Sequence, residues 1–227
     1  CIFIALINSS RLLDLFISII ALIVLSPILI LCIIILRFTG EGEVFYFQER
    51  LGFLNSKFFI IKFATMLKNS PNIGSGSITV RNDPRVLPFG NFLRKTKINE
   101  LPQIINVLKG EMSIVGPRPQ MKVDFEKFPE VKRDEIYKSK PGITGMGSIV
   151  FRDEQKWISN YNGDKHVFYK EKIAPYKTDL ELWYLKNQSF LVDLKLILIT
   201  ALVIVFPKLD IINKFFKNVP RKPSHLN

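Results

Sequence analysis

Apolar residues are concentrated near the N-terminus of the 227-residue chain. From Leu15 to Leu36 the sequence has 22 consecutive residues without a charge (LFISIIALIVLSPILILCIIIL). A straight helix of this length would reach about 33 Å, which is enough to cross a hydrocarbon core about 30 Å thick. A cleaved signal peptide has a shorter apolar region and a small-residue cleavage site, whereas Arg37 and a Gly/Glu-rich loop follow here. The pattern therefore predicts a membrane-inserted helix rather than an apolar core helix.

Ser26 and Pro27 lie in the middle of this apolar segment. Proline removes a backbone donor and clashes with the preceding turn, so it kinks or breaks a helix. Arg11 precedes the segment and Arg37 closes it, and basic residues favour the cytoplasmic side of a membrane. The residues leave two geometries open: a kinked helix that crosses the membrane, or a re-entrant helix that leaves on the side it entered.

The rest of the chain, from residue 40 to about 188, has the pattern of a soluble domain with short elements. Strands are predicted over residues 43–49 and 57–63, which are separated by turn-forming residues. Apolar residues at helical spacing predict a helix over residues 91–109, with a second segment starting at Pro102. A further helix is predicted over residues 170–188.

A second apolar run covers residues 196–206 and is too short to span a membrane, so it predicts an interfacial or core-docked helix. The tail beyond Pro207 has five Lys and Arg residues against Asp210. Such a tail suits an anionic cytoplasmic leaflet, and it is equally compatible with a disordered, solvated segment. Because the sequence begins at Cys1 rather than methionine, we expect a processed or truncated chain.

Charge narrows the possible partners, because 32 Lys and Arg against 20 Asp and Glu give a net charge of +12. This excess favours polyanionic partners such as nucleic acid, anionic lipid or phosphorylated substrates. Nucleic acid is disfavoured, since the sequence has no helix-turn-helix, RNP or zinc-finger pattern and carries a membrane segment. With two cysteines and two histidines, a disulfide framework and a zinc site are both excluded.

The residues that can carry chemistry lie mainly between Val80 and Gly145. Five basic residues crowd into 17 positions, namely Arg81, Arg85, Arg94, Lys95 and Lys97. Each of these alone is more typical of a solvated surface. Arg118 differs, because the prolines on both sides fix its backbone and a guanidinium suits bidentate binding of phosphate.

Carboxylates are fewer in this region: Glu100, Glu111 and the adjacent pair Asp153 and Glu154. A carboxylate among arginines can bind Mg²⁺ together with a substrate phosphate, or act as a nucleophile or base. A simple salt bridge is the commoner role for an isolated glutamate on a helix. The residues alone therefore predict a membrane-embedded protein that handles phosphate.

Nine segments of the chain resemble, in the same order, the bacterial sugar transferase family of monotopic phosphoglycosyl transferases. They are RLLD at 11–14, the apolar segment with Ser26 and Pro27, VFYFQERLG at 44–52, KFATM at 62–66, DPR at 83–85, LRKTKINELPQ at 93–103, NVLKGEMSIVGPRP at 106–119, KPGITG at 140–145 and LVDLK at 191–195. The resemblance implies an α/β fold: a monotopic membrane protein with a re-entrant helix-break-helix at residues 1–39, broken at Ser26 and Pro27. A small, helix-rich catalytic domain with interfacial helices (40–206) and a basic tail (207–227) would lie at the cytoplasmic face of the bacterial inner membrane.

The resemblance also implies the activity and its machinery. The family transfers a sugar-1-phosphate from a nucleotide diphosphate sugar, usually a UDP-sugar, to a polyprenyl phosphate such as undecaprenyl phosphate, and so begins surface polysaccharide or glycan assembly. Its Mg²⁺-dependent mechanism passes through a phosphosugar on the aspartate of an Asp-Glu dyad. Carried over to this sequence, Glu100 and Asn99 would be the catalytic and Mg²⁺-binding pair. The phosphate-binding residues would be Arg94, Arg118, Arg85 and Lys62.

Two positions depart from the family pattern: Asn99 replaces the nucleophilic aspartate, and Ala64 stands where an arginine is common. An amide is a poor nucleophile toward phosphorus, which leaves four hypotheses. Glu100 acts as the nucleophile; or transfer is direct, with Asn99 and Glu100 as ligands; or the chain is inactivated; or another carboxylate, Asp153 or Glu154, takes over. The alternative function is a non-catalytic membrane scaffold that binds polyprenyl phosphate or nucleotide sugar. The sequence leaves the oligomeric state open, a homo-oligomer included.

Overall fold

The computed structural model describes residues 2–73, 83–206, 209 and 211–224. Of the basic residues singled out above, Arg81 lies outside these ranges, as do Cys1 and the tail residue Asp210.

The described chain is mostly helical, with two small sheets. The helices are α1 (Ile2–Phe38), α2 (Pro88–Lys95), α3 (Ile104–Lys109), α4 (Lys122–Phe125), α5 (Glu130–Ile136), α6 (Met146–Val150), α7 (Glu154–Asn160), α8 (Lys165–Phe168), α9 (Ala174–Asn187), α10 (Phe190–Val205) and α11 (Ile212–Phe215). The strands are β1 (Phe45–Leu51), β2 (Lys57–Phe63), β3 (Ser113–Val115) and β4 (Gly142–Thr144). β1 and β2 pair antiparallel, while β3 and β4 pair parallel.

Helix α1 contains the whole predicted membrane segment and runs on through Pro27. The predicted break into two helices is therefore not confirmed, although Ser26 Oγ donates to the Ile23 carbonyl one turn earlier (2.8 Å). Among the described residues, α1 is the one helix long and apolar enough to cross a membrane. From Arg11 onward, many of its large apolar side chains are exposed, which is consistent with a membrane anchor.

Both ends of α1 are attached to the domain that follows it. Near the start, Arg11 donates to the carbonyls of Val107 and Leu108 at the end of α3 (2.5 and 2.8 Å). One turn later, Asp14 accepts from the Ser113 hydroxyl and from the Ile114 amide in β3. At the other end, two buried α1 side chains pack against two buried residues of β2 and α2: Cys32 and Leu36 against Phe63 and Leu93.

The domain is organised around α9, whose side chains run through the largest apolar cluster. Leu180 and Tyr184 of α9 are completely or almost completely buried, and α10 packs beside them through Leu196 and Ile199. The predicted helix over residues 170–188 is thus confirmed from Ala174 onward, after a π-helical turn at Tyr169–Ile173.

The hairpin strand predicted over residues 57–63 is confirmed with those bounds, and its partner begins at Phe45 rather than at residue 43. The predicted helix over residues 91–109 is divided into α2, a 3₁₀ turn (Ile98–Gln103) and α3. The 3₁₀ turn contains Pro102 and packs against β2. This division places the end of the segment LRKTKINELPQ, residues 98–103, against strand β2.

Part of the basic tail is docked on the domain. Ile212 and Phe216 are buried, with the Phe216 ring edge-on to Trp183 of α9 (5.5 Å between centroids). The Lys222 ammonium lies over the ring of Trp157 in α7 (4.9 Å). Residues 211–224 therefore pack against the helical core through apolar and aromatic contacts.

Candidate active site

Glu100 lies in the 3₁₀ turn that follows α2. Lys97, immediately before the turn, has left-handed backbone angles (φ 62°). Such a conformation is uncommon for a residue with a side chain and redirects the chain sharply. The turn then faces β2, which places Glu100 beside Lys62 on that strand.

Two cations contact the Glu100 carboxylate. Oε1 lies 3.2 Å from Nη2 of Arg118 and 3.9 Å from Nζ of Lys62. Burial raises the pKa of Glu100, but the charges of Arg118, Lys62 and Lys97 outweigh this effect and hold the pKa below its usual range. Glu100 is therefore an ionised carboxylate at any working pH.

Five basic side chains interact electrostatically with Glu100: Arg50, Lys62, Arg94, Lys97 and Arg118. The four other basic groups and the protonated form of Lys62 outweigh the single charge of Glu100, and this excess favours a multiply charged anion. A small polar cleft opens in this region, and its lining includes Arg50, Lys62, Gln103, Arg118 and Pro119.

The positive charges lie close enough to one another, and far enough from water, to shift their own pKa values. Burial lowers the pKa of Lys62 to about 7, although the charge of Glu100 acts in the opposite direction. Burial also lowers the pKa of Arg50 to about 10, with a further contribution from the charge of Arg118. An anion bound in the cleft would stabilise the protonated forms of both groups.

The segment that carries Arg118 is held at its backbone. Its amide donates to Oε1 of Glu181 on α9 (3.4 Å), and its carbonyl accepts from the buried hydroxyl of Tyr137 (2.9 Å). The same hydroxyl accepts from the Gln120 amide (2.8 Å). The backbone before this segment lies close to the residues that lead into β4. A Cβ on Gly116 would lie only 2.3 Å from the Lys140 carbonyl oxygen, so the approach requires glycine.

The guanidinium of Arg118 remains partly available. Among the residues that the structure describes, its side-chain partner is Glu100, which Nη2 contacts, and about a third of the side chain is exposed (35%). The remaining N–H groups can donate to a bound anion. The rigid backbone predicted from the flanking prolines is consistent with these contacts.

Asn99 is buried beside Glu100 in the sequence, and its Oδ1 accepts no hydrogen bond from the described residues. A buried acceptor without a partner is costly, so this oxygen is suited to a cation or a donor that arrives with a ligand. The Glu100 carboxylate and the Asn99 amide oxygen are the hard oxygen donors that Mg²⁺ takes. No group of three or more His, Cys, Asp and Glu in the described ranges could hold a metal, so substrate phosphates and waters would have to complete its coordination.

Arg85, one of the predicted phosphate-binding residues, contacts a loop rather than Glu100. Its Nε and Nη2 donate to the Asp83 carboxylate (2.8 and 2.6 Å), and Nη1 donates to the carbonyls of Ser70 and Ile73 (2.9 Å each). The side chain is buried by these contacts. Arg85 therefore stabilises the loop before α2, while Arg94, Arg118 and Lys62 are brought together around Glu100.

The other candidate carboxylates are distributed differently. Glu111 accepts from the buried amide of Asn106, which also bonds the backbone of β2, so Glu111 is part of a structural network. Glu154 is paired with Lys177 of α9 (2.9 Å).

Ala64, the second position that departs from the expected pattern, is buried immediately after β2.

Sequence reasoning missed Arg50, Tyr137 and Glu181. Arg50 lies in the segment VFYFQERLG, where alternation in the strand could have directed it to the face that carries Lys62. Tyr137 and Glu181 reach the Arg118 segment from distant helices. No local pattern in the sequence indicates either of these contacts.

The model of the family described as bacterial sugar transferase matches residues 6–207. The chain belongs to the bacterial sugar transferase family. It is 32% identical to the exopolysaccharide production protein ExoY of Sinorhizobium fredii, over 83% of this chain and 82% of that protein. It is 34% identical to the uncharacterized sugar transferase EpsL of Bacillus subtilis, over 84% of each.

Longer members of the bacterial sugar transferase family are also similar. The UDP-glucose:undecaprenyl-phosphate glucose-1-phosphate transferase of Escherichia coli is 33% identical over 83% of this chain, but over only 38% of its own length. The chain thus spans most of ExoY and EpsL and little more than a third of the Escherichia coli enzyme.

Proposed function

We propose that this bacterial sugar transferase transfers a sugar-1-phosphate from a UDP-sugar to undecaprenyl phosphate, and thereby begins the assembly of a surface polysaccharide or glycan. The observation that carries the proposal is the ionised Glu100, which interacts with five basic side chains, three of which (Arg50, Lys62 and Arg118) line the polar cleft. A diphosphate and a lipid phosphate meet in this reaction, and catalysis of phosphoryl transfer depends largely on positioning and charge stabilisation. The names of relatives such as the Escherichia coli glucose-1-phosphate transferase support this choice of substrates.

Direct transfer is the route that the charges favour. An oxygen of the lipid phosphate attacks the phosphorus that bears the sugar, and the bond from this phosphorus to the bridging oxygen breaks. UMP leaves with the electron pair, while Arg118 and Lys62 neutralise the charge that accumulates. Glu100 is poorly suited to make the attack itself, because its low pKa and its contacts with two cations weaken it as a nucleophile.

Mg²⁺ is proposed as the cofactor, with Glu100 and Oδ1 of Asn99 as its protein ligands. When bound, the ion would supply positive charge to the phosphate oxygens. Since the cleft already carries an excess of positive charge, we expect the ion to enter together with the diphosphate rather than before it. Asn99 in place of an aspartate reduces the negative charge of the ligand set by one.

We further propose that α1 is re-entrant and that the domain lies at the cytoplasmic face of the inner membrane. Arg11 and Asp14, just before the apolar segment of α1, and Cys32 and Leu36, near the end of that segment, all contact the same domain. A helix that crossed a bilayer would hold its ends about 30 Å apart on opposite sides. Contacts at both ends with one domain therefore favour entry and exit on the same side, with the bend at Ser26 and Pro27.

Helix α10 is proposed to lie in the membrane interface. Its buried face includes Leu196 and Ile199, whereas Leu191, Leu198 and Val205 are exposed. Exposed apolar side chains on a 16-residue helix suit the boundary between headgroups and acyl chains rather than a full crossing.

Turnover of a panel of radiolabelled UDP-sugars with undecaprenyl phosphate and Mg²⁺ tests the proposal on the full chain in detergent. We expect UMP release and transfer of label to the lipid phase, both dependent on undecaprenyl phosphate. Binding of a UDP-sugar without UMP release would instead favour the non-catalytic scaffold. The Arg118→Ala variant, which retains the membrane helix, is the control for label carried passively by the lipid.

A further inference from the structure

A buried ion pair lies behind the segment that carries Arg118. Lys177 of α9 is 2% exposed, and its ammonium contacts both carboxylate oxygens of Glu154 (2.9 and 3.1 Å). The ammonium also lies 3.4 Å from the Tyr169 hydroxyl and above the rings of Phe151 and Tyr169 (5.2 and 5.4 Å). The lysine is thus in contact with a carboxylate, a hydroxyl and two aromatic rings, all of which stabilise a positive charge.

Helix α9 connects this pair to the segment that carries Arg118. Lys177 and Glu181 are four residues apart, so they lie on the same face of the helix one turn from each other. Glu181 accepts from the Arg118 amide, so Lys177 lies one helical turn from the residue that contacts the Arg118 backbone. The charge of Glu100 raises the pKa of Arg118 against the effect of burial, and Glu154 adds a smaller contribution in the same direction.

Glu154 is therefore a competitor for Arg118. Its side chain is 21% exposed, so it is not locked in place by packing alone, and a carboxylate is a bidentate acceptor for a guanidinium. The N–H groups of Arg118 that do not contact Glu100 are the groups that a substrate phosphate would use. The charge of Glu154 already acts on Arg118, so a Glu154 carboxylate released from Lys177 can turn toward these N–H groups.

We propose that Lys177 is a positioning residue which holds Glu154 away from Arg118 and so keeps the guanidinium free for substrate phosphate. Lys177 has this role only if Arg118 binds the substrate diphosphate, as proposed above. Lys177 itself is buried behind the cleft and touches neither substrate nor Mg²⁺ in this proposal. Its effect passes entirely through Glu154.

The role is tested by pyrophosphate binding to the full chain in detergent, measured by calorimetry. Lys177→Met should weaken pyrophosphate binding roughly tenfold, because Glu154 then pairs with Arg118. Adding Glu154→Gln to Lys177→Met should restore binding to within about twofold of the unaltered protein, because the competitor is removed. Lys138→Met is the matched control, since it cuts a Lys-Glu pair (2.6 Å to Glu135) that is exposed to solvent.

Recovery in the double variant separates this role from a structural one, because loss of packing at Lys177 would not be repaired by a second change. Thermal unfolding of each variant accompanies the binding measurement. If Lys177→Met does not fold, Lys177→Gln replaces it, and partial weakening with the same recovery is expected. Unchanged binding in the single variant, or no recovery in a folded double variant, overturns the proposal.

Turnover distinguishes failure of this inference from failure of the proposed function. In an active enzyme, Lys177→Met should raise KM for the UDP-sugar that the unaltered protein turns over more than it lowers kcat, and the double variant should reverse the change. If the unaltered protein turns over no UDP-sugar but pyrophosphate binding follows the expected pattern, the transferase proposal fails and the role of Lys177 stands. If Glu154→Gln in the double variant abolishes turnover while Lys177→Met does not, Glu154 is itself catalytic and the inference is overturned.

Discussion

The chemistry of the cleft depends on single side chains whose charge is set by their neighbours. Glu100 remains ionised although it is largely buried, because Arg118 and Lys62 lie against it. Lys62, in turn, is a lysine whose pKa falls to about 7, chiefly because of burial. Removal of any one of these charges changes the protonation or the position of the others, so substitutions here should act on substrate binding before they act on folding.

Replacement of Arg118 should reduce activity far more than stability. Arg118→Ala removes a guanidinium that is partly exposed and paired with Glu100, and we expect kcat/KM to fall by about 10²–10³. Arg118→Lys should rescue poorly, because an ammonium has no planar fork for bidentate contact. The measurement is steady-state UMP release beside thermal unfolding.

Arg133→Ala is the control for Arg118→Ala, because its guanidinium lies over the Phe125 ring and has only long contacts with carboxylates (3.8 and 4.0 Å). It should leave kcat/KM nearly unchanged. Activity at the unaltered level in Arg118→Lys would contradict the bidentate contact.

Lys62 should make activity fall on the alkaline side of neutrality. Its pKa is lowered to about 7, so the free enzyme loses this positive charge, and affinity for the diphosphate, as the pH rises above that value. A profile of kcat/KM against pH should therefore decline above about pH 7, since this ratio reports the free enzyme. Lys62→Arg should move the decline to higher pH because a guanidinium stays protonated.

Lys57→Arg, on the same strand but paired with Glu49 at the surface, serves as the control for Lys62→Arg. It should leave the profile where it is. A profile for Lys62→Arg that coincides with that of the unaltered protein would show that another group titrates.

Glu100 should be essential, and Asn99 should tolerate replacement by aspartate. Glu100→Gln removes the carboxylate that holds Arg118 and Lys62 and that is proposed to bind Mg²⁺, so activity should be lost. Asn99→Asp should preserve activity, since it adds an anionic oxygen at a position where the amide oxygen already lacks a partner among the described residues. UMP release is the measurement for both.

Intact mass under single-turnover conditions separates the routes. An active protein without an adduct supports direct transfer, whereas a phosphosugar on Glu100 would identify that residue as the nucleophile. If only Asn99→Asp is active, the chain is an inactivated transferase and direct transfer is wrong.

Among the elements, those with a strong local pattern could be predicted, and those made by distant contacts could not. The aromatic and β-branched residues in 57–63, bounded by turn-forming residues, predicted β2 with its observed bounds, and the pattern of residues 170–188 predicted α9. The three-residue strands β3 and β4 are too short to show such a pattern. Their pairing depends instead on the close approach of Gly116 and Gly142, which are distant in the sequence. The helix predicted over residues 91–109 was interrupted for a related reason: Lys97 adopts left-handed angles, and Pro102 falls within a 3₁₀ turn.

Some residues of the candidate site could also be predicted from a local pattern, whereas others depend on distant contacts. Arg118 could be singled out from its flanking prolines, because backbone restraint is visible in the sequence. Arg85 belonged to the same basic cluster, yet its donors are taken by Asp83 and two loop carbonyls. A local sequence cannot indicate whether an arginine faces a cleft or a neighbouring loop, since that depends on how the loop folds.

At the scale of the whole molecule, helix α1 packs against the domain instead of being joined to it only by the chain. Asp14 bonds β3, two residues before the glycine that leads to Arg118, and Leu36 completes an apolar cluster with Phe63 at the end of β2. Burial of an apolar side chain such as Leu36 contributes about 1.5–3 kcal/mol. The position of α1 is therefore coupled to the two strands that frame the cleft.

This coupling predicts that both ends of α1 lie at the cytoplasmic face. Single cysteines at Leu12 and Phe38, both exposed near opposite ends of the helix, should react with a membrane-impermeant thiol reagent from the same side. The variants are made with Cys1 and Cys32 replaced by alanine, and labelling is compared in spheroplasts and in inverted membrane vesicles. Labelling from opposite sides would show that α1 spans the membrane, and the re-entrant topology would be wrong.

The proline supplies the second half of the test. Pro27→Ala restores a backbone donor and removes a proline whose place inside a helix costs about 3 kcal/mol, so it should favour a straight helix. A straight α1 that crosses the bilayer must give up the contacts of Arg11 with the α3 carbonyls and of Asp14 with β3. We therefore expect Pro27→Ala to expose position 12 to the periplasmic reagent in part of the molecules and to lower turnover in proportion. Leu31→Ala, an exposed position on the same helix, is the control and should change neither measurement.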